Sequence, residues 1–395
     1  MMPSLVDVAG AVPSAVAAPD AGIRVLHVGK YYPPVPGGME RVLQLLCEHE
    51  RRLVDARVLV SNMGAGTTRG VLNGVPVTRG GRLVAVGSVA ISPSLVGALW
   101  HSDADITVIH EPNPVALAAD ALLRRREPLI VYFHSEVVRA RWKYQLFYRP
   151  LLRRVLDRAA RVIVASPPMA ETAAQLAAHR SKCVVIPYGI DPARLHASAA
   201  VRARAQQIRE SAGGRPLALF AGRLVPYKGV DVLLRAIRGI DVALAVVGHG
   251  PLAAALRALA ESEGVSGQVR FHGAVPDSEL LALYHACDMF VLPSVTRAEA
   301  FGMVQIEAMA CGKPVISTSV PSGVPWVNQD GVTGLVVPPG DVSALSAAIA
   351  ALAADEPLRR RLGEAGVRRV EEEFTAARMA ERTVALYRDV LGRPA

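Results

Sequence analysis

Two glutamates, Glu299 and Glu307, stand eight positions apart in an otherwise apolar stretch, VTRAEAFGMVQIEAMACGKPVIST. The run from Gly302 to Ala310 is built of helix-favouring residues, and Gly312 with Pro314 supplies a stop, so the pattern predicts a helix starting at Gly302. Glu299 then sits just ahead of that helix and Glu307 about one and a half turns inside it. A helix N-terminus offers free N–H groups and the positive end of the dipole, which suits an anion. Acids placed there can cap the helix, or grip the hydroxyls of a ligand whose phosphates lie nearby.

Other chemistry-bearing residues follow short apolar runs. PLALFAGRLVPYKGVDVLLRAI puts Arg223 at a strand exit and Lys228 five residues on, at a helix start. Two fixed cations beside a helix N-terminus match a diphosphate and can stabilise it as a leaving group; two exposed surface cations fit equally. GKYYPPVPGGMERVLQLL carries Gly37-Gly38 ahead of a helix, a turn open to close approach by phosphate or simply tight. LIVYFH ends in His134, and DITVIH ends in His110 before Glu111-Pro112-Asn113-Pro114; a lone strand-end histidine is ordinarily structural.

VALAVVGHGPLAAAL contains Gly248-x-Gly250-x-x-Ala253 between a strand and a helix, a weak dinucleotide signal. It does not follow the first strand of its half. The next strand, VRFHGAV, ends in His272-Gly273 where an acid should hold a ribose, so NAD is discounted. Asp103-x-Asp105 precedes the strand ITVIH instead of following one. It reads as a turn and strand start, and no metal is expected.

The elements that must position these residues alternate. IRVLHVG, ARVLVS, DITVIH, LIVYFH, RVIVAS and CVVIPYG in the first half, and PLALFAG, VALAVVG, VRFHG, MFVLPS, PVIST and GLVVPP in the second, are separated by Ala/Leu/Arg helical stretches. Near-continuous apolar strands alternating with helices imply parallel sheets covered on both faces, an α/β fold. Asp191 to Pro216 breaks the pattern and reads as the connection between two such domains. Open α/β sheets bind ligands outside the carboxyl ends of their strands, where the candidates fall.

The 395 residues allow two or three domains, and 51% hydrophobic content with 5% aromatics excludes a disordered chain. No run of about 18 apolar residues appears, so no transmembrane helix is expected. The opening MMPSLVDVAGAVPSAVAAPDAG lacks a basic n-region and is broken by Asp7; residues 1–22 read as a disordered leader. Cys47, Cys183, Cys287 and Cys311 match neither zinc nor disulfide spacing and read as buried reduced thiols of a cytosolic protein.

The charge of +9 is uneven: Arg139 to Arg161 holds eight basic residues and one acid, Asp157, with Trp142, Tyr144, Phe147 and Tyr148 interleaved. A solvated basic helix and an anionic lipid surface both fit this segment. Nucleic acid is not expected, because no recognised nucleic-acid module accompanies it.

Together these motifs resemble the retaining glycosyltransferases of family 4, with two Rossmann-like domains in the GT-B arrangement. The resemblance runs from about Ile23 to Leu391 and is carried by Gly37-Gly38-x-Glu40, YFHSEVVR, FAGRLVPYKGVDVLLRA, VVGHGP, EAFGMVQIEAMACGKPVI and GLVVPPGDVSAL. HEPNP and HSEVVRARWKYQLFYRPLLRR look like the bacterial mannosyl- and rhamnosyltransferases of surface-polysaccharide assembly. The resemblance implies an N-terminal acceptor-side domain at 23–195, a nucleotide-sugar domain at 196–376, and a C-terminal helix at 377–395 packing back on the first.

It further implies that Glu299 binds the transferred sugar, with helix capping a secondary role. The amides of Phe301, Gly302 and Met303 would hold sugar and phosphates, and Glu307 the ribose. Arg223 and Lys228 would hold the diphosphate, with Gly37, Gly38, Gly248 and Gly250 in the loops near the donor. His134 would lie by the reacting sugar, stabilising positive charge through backbone or ring. Ala300 departs from the glycine of many relatives. The implied reaction needs no metal or cofactor. It moves a hexose, with mannose from GDP-mannose favoured and a UDP-sugar as the other donor, to a glycan or polyprenyl-diphosphate-linked acceptor, by front-face attack with the departing diphosphate taking the proton. The cysteines and the basic-aromatic segment together suggest a location in the cytoplasm, with peripheral contact at the inner face of the cell membrane. A nucleotide-sugar 2-epimerase on the same fold and a non-catalytic membrane-associated scaffold are the alternatives.

Overall fold

The computed structural model describes residues 22–393 apart from 87–88, 124 and 137–143. Residues 1–21 of the expected leader, and Arg139 to Lys143 of the basic segment, lie outside the described residues.

Among the described residues ten strands occupy the first half: β1 (Arg24–Val28), β2 (Asp55–Ser61), β3 (Thr68–Leu72), β4 (Val75–Gly80), β5 (Val84–Val86), β6 (Val89–Ile91), β7 (Ile106–Glu111), β8 (Leu129–Phe133), β9 (Arg161–Val164) and β10 (Cys183–Val185). Eight of them form one sheet in the order β10-β9-β8-β7-β1-β2-β4-β3. Six more, β11 (Leu217–Ala221), β12 (Ala243–Val247), β13 (Val269–Gly273), β14 (Met289–Leu292), β15 (Val315–Thr318) and β16 (Gly334–Val337), form a second in the order β13-β12-β11-β14-β15-β16. The central strands β7, β8, β11 and β12 are buried at every position, as continuous apolar runs between helical layers must be. The order places β8, β7 and β1 side by side, so their carboxyl ends meet.

Every pairing in the second sheet is parallel. The first departs from the all-parallel expectation at its edge, where β3 runs antiparallel to β4. Asn73 (φ 51°) and Gly74 (φ 80°) make the turn, the two positive φ values a tight hairpin requires. A second small hairpin pairs β5 with β6.

The segment expected as a plain connection holds the helix Ala199–Ser211, started by Ser198, whose hydroxyl accepts the Val201 N–H at 3.2 Å. The chain crosses back after the second sheet. Ile190 bridges Thr375, and Gly189 sits so close that an added Cβ would lie 2.3 Å from the Thr375 carbonyl oxygen. The helix Ala376–Leu391 then packs on the helix Gly38–Glu50 of the first half, with Tyr387 fully buried and its hydroxyl 3.3 Å from Glu50 Oε2.

Asp103 and Asp105 are taken by arginines: Arg57 reaches Asp103 at 2.8 Å and Arg24 reaches Asp105 at 2.9 Å. Of the four free thiols Cys47 and Cys287 are buried, whereas Cys183 and Cys311 are half-buried. Among the described residues no helix is long and apolar enough to cross a membrane.

Candidate active site

A cavity of about 450 Å³ opens between the carboxyl edges of the two sheets. Pro112, Ser135, Glu136 and Met169 line it from the first half, and Arg223, Tyr227, Arg297, Ala298, Ala300 and Ser322 from the second. Glu136 and Arg297 join the halves at 3.3 Å.

On the second side the helix Met303–Ala310 begins at Gly302, whose φ of +76° and lack of a side chain both matter: a Cβ would lie 2.7 Å from Leu292 Cδ2. No side chain caps this helix. Glu299 turns away from it and pairs with Lys228, Oε2 to Nζ 2.5 Å, with the Ser294 hydroxyl at 3.4 Å. The expected capping role of Glu299 is therefore not met. Lys228, at the helix start, is 8% exposed and so not the exposed surface cation the sequence also allows, while Arg223 at the strand exit is exposed. Glu307 accepts the Tyr284 hydroxyl at 2.8 Å. Burial raises its pKa, partly offset by that bond and by Arg41 of the opposite half.

On the first side His134 follows β8, 4% exposed. Its Nδ1 lies 2.7 Å from the Tyr188 hydroxyl and its Nε2 2.9 Å from His110 Nδ1. Both ring nitrogens are engaged, so what remains for a ligand is main chain. Burial pushes the His134 pKa down to about 3, which keeps the ring neutral. Glu111, at the end of β7, accepts the Asn113 N–H at 3.0 Å and the Tyr148 hydroxyl; burial pushes its pKa up to about 7.

Residues 37–189 match the model of the glycosyl transferase 4-like domain and residues 201–369 that of glycosyl transferases group 1. The O-antigen chain mannosyltransferase C of Escherichia coli is 32% identical over 93% of this chain and 99% of its own length. The chain belongs to the family 4 glycosyltransferases. The D-rhamnosyltransferase WbpZ of Pseudomonas aeruginosa is 34% identical, over 90% of this chain and 93% of its own. Among solved structures, Anabaena HepE in complex with UDP superposes with a TM-score of 0.74 over 93% of this chain and all of that one, at 21% identity. The fold is GT-B, and the enzyme is a hexosyltransferase.

Within this glycosyltransferase the candidates divide. Gly37 is extended, φ 170°, at the start of the helix Gly38–Glu50, and a Cβ on it would lie 2.0 Å from Glu40 Oε2, whereas nothing lies within 4 Å of a Cβ built on Gly38, so the room for a ligand is at Gly38. Gly248 and Gly250 are occupied by the fold: a Cβ on them would meet the carbonyl oxygens of Gly222 and Leu224 at 1.9 and 2.4 Å. They let the VVGHGP loop pack on the loop that carries Arg223.

From Tyr144 onward the basic-aromatic segment is not a single α-helix. Its described part is a π-turn, Tyr144–Tyr148, a helix, Arg149–Arg158, and the start of β9. Arg158 pairs with the buried Asp120, which withdraws it from the expected surface, while Arg161 pairs with Asp389 in solvent. Arg149, Arg153 and Arg154 are exposed, as are Leu146 (63%) and Phe147 (61%).

Sequence reasoning gave no role to Glu136 or Arg297, missed Tyr188, and took His110 and His134 as separate strand-end histidines. Among the described residues, the group that brings three potential metal ligands together is His27, Cys47 and Glu50. It is buried behind the cavity, and Glu50 there is bonded to His27.

Proposed function

We propose that this hexosyltransferase is retaining and metal-independent, and that it moves mannose from GDP-mannose to a glycan or polyprenyl-diphosphate-linked acceptor. The observation that carries the reading is the Lys228–Glu299 pair beside an uncapped helix start and the exposed Arg223. An incoming donor would exchange partners with the pair: its diphosphate takes Lys228 and Arg223, and its sugar hydroxyls take Glu299. Cations and helix N–H groups then carry the leaving-group charge that a metal would otherwise hold, and the diphosphate accepts the acceptor proton on the face it leaves. Glu307 would hold the ribose, and the amides of Phe301, Gly302 and Met303 the sugar and the phosphates. Mannose is favoured by the mannosyl transfer named for the E. coli relative.

Hydrolysis of GDP-mannose, UDP-glucose and UDP-galactose without acceptor, with and without EDTA, tests this. GDP-mannose should be cleaved fastest, at a rate chelation leaves unchanged. Preference for a UDP-sugar would overturn the donor, and loss with EDTA that manganese or magnesium restores would overturn metal independence.

The exposed Leu146 and Phe147 beside Arg149, Arg153 and Arg154 support docking on the inner face of the cell membrane, each arginine contributing on the order of 1 kcal/mol on anionic lipid. The protein should sediment with anionic vesicles and release at high salt. Arg149→Glu/Arg153→Glu/Arg154→Glu should abolish that binding and spare donor hydrolysis. Equal binding to neutral vesicles would count against it.

A further inference from the structure

Three histidines sit near the carboxyl ends of neighbouring strands in the first half, and their rings join end to end. Nδ1 of His27 lies 2.9 Å from Nε2 of His110, and Nδ1 of His110 lies 2.9 Å from Nε2 of His134. Nδ1 of His134 lies 2.7 Å from the Tyr188 hydroxyl. At the other end Nε2 of His27 meets Oε1 of Glu50, whose Oε2 is 3.3 Å from the Tyr387 hydroxyl. None of these six residues is more than 5% exposed. Tyr188 in turn packs edge-on against Phe301 of the second half, ring centres 4.9 Å apart, and Ser135 and Glu136, which follow His134, line the cavity. The file thus runs from the C-terminal helix to the place where the halves meet.

A neutral imidazole carries one N–H and one bare nitrogen, so a file of such rings has two self-consistent directions. Burial holds His110 and His134 neutral. An ionised Glu50 has no proton to give. It accepts from Nε2–H of His27, whose bare Nδ1 accepts from Nε2–H of His110, whose bare Nδ1 accepts from Nε2–H of His134. The bare Nδ1 of His134 then takes the Tyr188 proton. A neutral Glu50 would donate and reverse every bond; a doubly protonated His27 beside an ionised Glu50 would reverse every bond beyond His27. Tyr188 would then accept from Nδ1–H of His134 and turn its own proton toward the His134 carbonyl oxygen, 3.5 Å away.

We propose that Glu50 is a positioning residue for sugar transfer. Acting through a neutral His27 and His110, its carboxylate fixes the Nε2–H tautomer of His134 and so keeps the His134 carbonyl oxygen unoccupied for the ligand. The proposal rests on the reading that His134 lies beside the reacting sugar.

The test begins with the unaltered full-length protein, labelled with ¹⁵N-histidine and read by long-range ¹H–¹⁵N spectra at neutral pH. His27, His110 and His134 should all be neutral Nε2–H tautomers; an Nδ1–H or doubly protonated ring at any of the three overturns the proposal. Glu50→Gln has the same shape and an amide that can donate. In it the His134 tautomer should shift, and kcat for GDP-mannose hydrolysis should fall about 10- to 100-fold, as for orienting partners of other functional histidines. KM should stay within about 2-fold, and Glu50→Asp should recover part of the rate. Unchanged kcat in Glu50→Gln, or a fall in kcat with the His134 tautomer unmoved, overturns it. The tautomers are read without donor. A wild-type protein inactive on GDP-mannose therefore sinks the donor assignment alone, and kcat is then followed on the panel donor it does cleave.

Discussion

Across the cavity the two carboxyl edges spend their polar groups differently. On the first, His110 and His134 are neutral, and every ring nitrogen of His27, His110 and His134 is bonded within the protein. On the second, Lys228 and Glu299 pair with each other at 2.5 Å, Arg223 is exposed, and the helix after Gly302 starts without a side-chain cap. Internally satisfied groups rigidify and present shape. Charges held by a single counter-charge can be exchanged for a ligand's at little net cost, because one partner replaces another. The first edge is built to hold still, and the second to trade partners.

Breaking the tradable pair should have the largest effect. Lys228→Ala leaves Glu299 as a buried carboxylate with no counter-charge, a loss of about 3–5 kcal/mol measurable by urea unfolding. Lys228→Ala/Glu299→Gln should regain most of the stability and none of the turnover. Wild-type stability in the single variant would mean that the pair holds nothing.

Arg223→Ala separates function from folding on the same edge. The exposed side chain should be dispensable for stability, while turnover falls about 100-fold or more, roughly 3 kcal/mol. A substantial drop in unfolding free energy would place Arg223 with the structural groups instead.

The smallest effect expected is on the first edge, at Glu111. Its pKa is about 7 in the folded protein against an ordinary 4.5, with burial the cause. The folded state therefore binds the proton more tightly than the unfolded one. The stability this contributes is complete below pH 4.5, declines as pH rises toward 7, and is gone above it. The whole decline is on the order of 3 kcal/mol at most. Glu111→Gln, which mimics the protonated form, should flatten that slope and be the more stable protein at pH 8. Parallel pH profiles for the two proteins would show that folding leaves the Glu111 pKa where it is in the unfolded chain.

Much of the second edge was legible because its residues are close in sequence. Gly302, the helix to Ala310 and the stop at Gly312 are local features, and Gly312 takes a φ of +72° as its role requires. The burial of Lys228 was not legible, since it depends on Glu299, which the fold brings from 71 positions further along the chain. The first edge was harder. VLHV, VIHE and YFHS each announced a histidine at or near a strand's end, but a single ring there looks structural. Only the order β8-β7-β1 puts the three in contact, and strand order is not written in any one segment. The Asn73-Gly74 hairpin has a local signal, an Asn-Gly between short apolar runs, but the alternation of strands and helices points only to parallel pairs.

The helix Ala376–Leu391 has a consequence for synthesis. It belongs by packing to the first half, closing over Glu50 with Tyr387, yet it is translated after both sheets. Domains generally fold as they emerge, the N-terminal one first, and incomplete ones expose apolar surface. The first half of this enzyme must therefore wait, with the face of the helix Gly38–Glu50 uncovered, while the ribosome makes the whole of the second. Its last helix is a late-arriving lid on an early-made core, and a nascent chain stalled anywhere in between carries that uncovered face with it.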